Sequence, residues 1–179
     1  MTNKYSALQI CLHWSALVIV AITYAAMELR GVTESGTAGR FWFVSTHYSF
    51  GFLMLILMTG RLLVRFQRHA PPITPAPAKW MTAASHATHG IIYAMFLALP
   101  LLGMLTLYLK GQPWVIFAVP MPVAATPDGA LSHNIKNIHE FIANAGYFII
   151  GLHAAAALFH HFILRDNTLL RMMPGKKPS

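Results

Sequence analysis

Apolar positions along the chain fall into four long blocks, near residues 7–28, 43–65, 84–109 and 138–164, separated by shorter polar, glycine- or proline-bearing stretches. A hydrocarbon core of about 30 Å takes about 20 residues of helix to cross, and each block is long enough. The pattern predicts an all-α integral membrane protein, a four-helix up-and-down bundle in a single domain over 1–179. The first block is not expected to be a removable signal. Its only basic lead is Lys4, and no clear small-residue cleavage site precedes Glu28 and Arg30.

The connections differ in character. Residues 29–42, "LRGVTESGTAGRFW", read as a polar outer loop, and residues 67–80, with four prolines, as an extended strap. Residues 110–135 are too broken by proline to span and hold Trp114, Ile116 and Phe117, so a partial cover at the outer interface is expected. Pro100 removes a hydrogen bond within the third block, where a bend is expected. Glycines inside the blocks, Gly146 among them, permit close approach of a helix or a cofactor.

Composition sharpens the picture. The chain is 56% hydrophobic and 10% charged, with a formal charge of +8. In a soluble protein that charge would suggest nucleic acid, but here the basic residues gather at the block ends and no nucleic-acid role is expected. Lys4, Arg61, Arg65, Arg68, Lys79, Arg165, Arg171, Lys176 and Lys177 fall at one end; Arg30, Arg40, Lys110 and Lys136 fall at the other. The positive-inside rule then places both termini in the cytoplasm, with the basic tail against anionic membrane lipid.

Cys11 is the only cysteine, so no intramolecular disulfide or thiolate cluster can form, and the ten histidines are the main candidate ligands. His139, Gly146, His153 and His160 recur every seven residues. A step of seven falls only about 20° short of two helical turns and rises roughly 10.5 Å, so the four share one stripe. His139 and His153 are about 21 Å apart along it and cannot share one metal. In an up-and-down bundle His47 lies at the depth of His139, and His13 at the depth of His153. Unpaired imidazoles in hydrocarbon are costly, and a single one more often hydrogen-bonds a neighbouring helix than binds a metal. Two depth-matched pairs suit haem, which takes two axial ligands, better than structural zinc, which takes four. Without a C-x-x-C-H motif the expectation is two haems b per chain: His13 with His153 on the inner side, His47 with His139 on the outer. His86 and His89 are rivals to His13, with a proton-handling or packing role favoured for them over ligation; His69 and His133 read as ordinary loop residues.

"NKYSALQICLHW" at the start, "GLHAAAALFHH" in the fourth block and "DNTLLRMMP" near the end resemble the bacterial cytochrome b561 family over nearly the whole chain. The resemblance implies bis-histidine haem b ligation at His13, His47, His139 and His153, a multi-pass place in the bacterial inner membrane, and an oxidoreductase passing electrons from superoxide to ubiquinone. On that reading Arg30, Arg40, Lys110 and Lys136 steer superoxide from outside. His160 is then the candidate proton relay to quinone, with His161, Arg165 and Asp166 behind it, or else an interfacial end of the helix. Two other classes remain open: a quinone-reducing cytochrome b subunit of a larger dehydrogenase, and a metal-ion carrier with histidine stations. Self-association as a homodimer and a dehydrogenase partner are both left open.

Overall fold

The computed structural model describes residues 4–175. Lys176 and Lys177 of the basic tail lie outside them. Among the described residues four helices are long and apolar enough to cross a membrane. They are α1 (Ala7–Arg30), α2 (Ala38–Gln67), α3 (Lys79–Lys110) and α4 (Gly129–Phe159). A π-helical turn, His160–Leu164, continues α4, and a short 3-10 turn, Leu170–Met172, follows.

Each helix begins where a polar side chain can satisfy its free N–H groups, or continues past its apolar block. Ser6 caps α1, accepting from the Gln9 backbone N–H at 3.3 Å, and Gln9 Oε1 in turn accepts from Ser6 N at 3.1 Å. Thr37 caps α2, so residues 38–42 are helical rather than part of the outer loop. Asp128 caps α4 by accepting from Leu131 N at 2.9 Å, which adds 129–137 to the helix. His133 therefore stands on α4 and not in a loop. The third helix runs unbroken through Pro100. The strap 68–78 has no regular structure and is pinned to the chain's last segment: Asn167 N donates to Thr74 O at 3.1 Å, and Thr74 N to Asn167 Oδ1 at 2.9 Å.

The connection after α3 folds into a hairpin of β1 (Val115–Ile116) and β2 (Val119–Pro120). Its turn residues Phe117 and Ala118 have φ of 46° and 63°, and Phe117 N donates to Ser49 Oγ at 2.8 Å, tying the hairpin to α2.

α1 packs on α2 and α3 on α4, with α2 also against α3. Between α1 and α4, long side chains do the joining: Tyr24 Oη donates to Ala143 O at 2.9 Å, and Tyr147 Oη to Glu28 Oε1 at 2.7 Å. The buried centre is Ala16, Ile19, Met54, Met58, Met95, Phe96 and Leu99. Gly146 is filled from across the bundle by the Tyr24 hydroxyl and Met95 Sδ, so its space is closed by side chains and leaves no room there for a flat group. The end of the bundle where α1 starts is the terminal end, and the opposite one the distal end.

Candidate cofactor sites

At the distal end His47 projects from α2 and His139 from α4, with ring centres 6.2 Å apart and planes at 75°. Each ring is held through Nδ1, which donates to Thr23 O at 3.0 Å in His47 and to Leu99 O at 2.9 Å in His139. A carbonyl can only accept, so both rings carry their proton on Nδ1 and leave the Nε2 lone pair free. Backbone carbonyls behind metal-binding histidines play this orienting part generally. Gly103 makes room for His139: a Cβ there would stand 3.3 Å from the ring's Cε1.

Both rings line a distal cavity of about 890 Å³. Arg30, Lys110 and Lys136 are also in its wall, as are His133 and Trp114. Arg30 Nε is buried without a hydrogen-bond partner among the described residues, and Lys136 pairs with Glu140 at 2.9 Å. Arg40 is elsewhere: its Nη1 donates to the carbonyls of Arg30 at 3.3 Å and Thr33 at 3.1 Å, closing the end of α1. Trp114 is buried, edge-on to Tyr48 at 6.3 Å, so the segment after α3 covers this cavity.

At the terminal end His13 of α1 and His153 of α4 also stand 6.2 Å apart, at 66°. His89 of α3 lies 5.3 Å from His153 and donates through Nδ1 to Ser85 O at 2.7 Å. His13 Nδ1 receives an N–H from Arg61 Nη2 at 3.0 Å. Arg61 belongs to neither helix end, because α2 runs on to Gln67. An arginine inside an apolar block is the signal available in the sequence for such a contact. His86 and His69 are exposed.

A metal taken between two imidazole nitrogens at about 2.0 to 2.1 Å each, with each ring centre about 1.1 Å beyond, sets the ring centres roughly 6.3 Å apart. Both facing pairs fit that spacing, whereas His89 is about 1 Å too close to His153. The distal pair fits haem in its tautomers as well. The terminal pair fits in spacing, and a ligating His13 needs the guanidinium to turn aside, toward the Tyr93 ring 5.8 Å from its carbon.

Beyond His153, His160 Nδ1 meets Asp166 Oδ2 at 2.5 Å, with the Thr168 hydroxyl 3.4 Å from the same nitrogen. Burial opposes ionisation of Asp166, but its bonds to His160 and Thr168 prevail and hold the carboxyl below the usual range. A mostly apolar crevice of about 730 Å³ runs beside the start of α1, lined by Lys4, Cys11, Trp14 and Val18 among others.

Four apolar helices with paired histidines inside the bundle are the architecture expected of a multi-pass membrane cytochrome of b type. The comparisons with known proteins give the family. The model for prokaryotic cytochrome b561 matches residues 4–175, and the chain belongs to that family, which implies bound haem b. It is 42% identical over 177 residues to a probable superoxide oxidase, CybB, of Yersinia pestis, covering 99% of each chain. It is 46% identical over 175 residues to cytochrome b561 homolog 1 of Escherichia coli K12, covering 98% of this chain and 99% of the other. Cytochrome b562 of Cereibacter sphaeroides is 30% identical over 94% of each.

Proposed function

We propose that the protein is a superoxide:ubiquinone oxidoreductase of the bacterial inner membrane, with one haem b held by His47 and His139 and a second by His13 and His153. The observation that carries this is the pair of histidine couples at one common spacing of 6.2 Å, one at each end of the bundle. The name of the Yersinia relative supports the donor. Haem b, when bound, supplies a one-electron carrier at each couple.

In this reading the distal end faces the periplasm, as the eight-to-four division of the basic residues at the helix ends, Arg61 set aside, suggests. Arg30, Lys110 and Lys136 in the cavity wall attract a small anion and raise its rate of encounter. Two superoxide anions give up one electron each and leave as dioxygen; one ubiquinone takes both electrons with two protons and becomes quinol. His160 at the terminal end hands protons to the quinone, since an imidazole can take a proton on one nitrogen and give it up again as a general acid. Haem-loaded, oxidised protein treated anaerobically with potassium superoxide should show reduced haem bands that decay on addition of ubiquinone. Bands that respond to quinol but never to superoxide would refute the donor and leave an electron relay serving a dehydrogenase.

A further inference from the structure

The turn that ends α4 is built to return one carboxylate onto one imidazole. The π turn His160–Leu164 widens the helix's last loop, Arg165 at φ 56° reverses the chain, and Asp166 N donates back to His160 O at 3.1 Å. A residue other than glycine in this conformation is uncommon and is kept where surrounding contacts enforce it. Those contacts are present. Thr168 N donates to Asp166 Oδ1 at 2.8 Å, fixing the carboxylate's second oxygen. Asn167, the next residue, is bonded reciprocally to Thr74 of the strap. Asp166 is buried, at 5% exposure, and the bond to His160 Nδ1 is 2.5 Å. Of the side chains nearby in sequence, the His161 ring packs on Phe162 at 4.7 Å, and Arg171 lies over the Tyr5 ring and donates to Pro71 O.

We infer that Asp166 is a positioning residue: it fixes His160 in the Nδ1–H tautomer, so that Nε2 is the single atom through which this imidazole takes up and releases protons. An ionised carboxylate can only accept, so the proton between the two groups belongs to His160 Nδ1 when the ring is neutral. The depressed titration of Asp166 keeps it in that acceptor-only form. A free imidazole divides its proton between two nitrogens and rotates. The carboxylate removes both freedoms, as a third group does for the base in nucleophile–base–acid arrangements generally. The inference rests on His160 as the quinone's proton donor only for its functional meaning; the tautomer itself is independent of quinone.

The test is nitrogen-15 and proton NMR of haem-loaded protein carrying labelled histidine, with His160 signals assigned by their loss in H160A. The wild type should show Nδ1 protonated, Nε2 unprotonated, and a far-downfield Nδ1–H proton, the mark of a short charge-assisted bond. D166A should mix the tautomers and slow haem reoxidation by ubiquinone roughly as H160A does. D166N, which keeps an acceptor oxygen, should hold the tautomer and much of the rate while its Nδ1–H signal moves upfield; this variant decides the matter should D166A not fold. A wild-type Nε2–H tautomer, or an Nδ1–H signal unmoved in D166N, overturns the inference. A tautomer that shifts as stated while H160A reoxidises at the wild-type rate upholds the positioning role and refutes instead the relay to quinone.

Discussion

Gly146→Ala probes how the two ends of the bundle are kept apart. An alanine Cβ at this position would collide with the Tyr24 hydroxyl and stand 3.3 Å from Met95 Sδ. The helix backbone cannot yield, so Tyr24 must swing away and lose its 2.9 Å bond to Ala143 O. Stranding that hydroxyl costs about 1 to 3 kcal/mol. Crowding of Met95 adds about 1 to 3 kcal/mol, as overpacked cores do. Replacing glycine inside a helix returns about 1 kcal/mol. The net loss is about 3 kcal/mol, which for a chain of this size lowers Tm by roughly 6 to 12 °C. Thermal unfolding in a mild detergent, followed by tryptophan fluorescence, would measure it. Tyr24→Phe removes the colliding oxygen, so the same glycine change in that background should cost at least about 1 kcal/mol less. An equal loss in both backgrounds, or none in either, would refute the account of how Gly146 is filled.

Three further outcomes are expected. Pyridine haemochrome assay should give about two haems per chain, as two axial pairs require; His47→Ala and His139→Ala should each remove the same one, and His13→Ala the other. Superoxide-driven reduction should slow as salt shortens the Debye length from about 10 Å at 0.1 M to about 3 Å at 1 M, and less so in Lys110→Gln with Lys136→Gln; stopped-flow absorbance reads both. Arg61→Gln removes a positive charge from the surroundings of His13, whose Nδ1 it meets or, once His13 ligates, stands aside from toward Tyr93, and redox titration should find the midpoint of the terminal haem lowered and the distal one unmoved.

The apolar blocks locate the four spans because transfer into lipid depends on composition over some 20 residues, which can be counted directly. They do not locate the helix ends. Residues 38–42 and 129–137 continue their helices into polar surroundings on the strength of single caps, Thr37 and Asp128. The stripe of His139, Gly146 and His153 is legible from helical period, and antiparallel order supplies the facing histidines. What lies between them is not: a seven-residue step allows a cofactor at Gly146 as readily as the Tyr24 and Met95 that fill it. The reach of Arg61 to His13 and the turning of Arg40 onto the carbonyls of Arg30 and Thr33 depend on side-chain direction between residues outside one another's local turn. Periodicity carries no such information.

The buried centre, Met54, Met58, Met95, Phe96 and Leu99 with Ala16 and Ile19, has only apolar side chains. A proton needs a chain of hydrogen-bonding groups or water to travel, and the side chains of this layer supply no such chain; the Tyr24 hydroxyl packed beside them is already committed to Ala143 O. Acid–base chemistry at one end must therefore be supplied from the water at that end. If negative charge moves through the layer alone, each electron works with or against the membrane voltage, at about 2.3 kcal/mol per 100 mV for a full crossing. The reaction then becomes a small generator whose rate responds to the energised state of the cell.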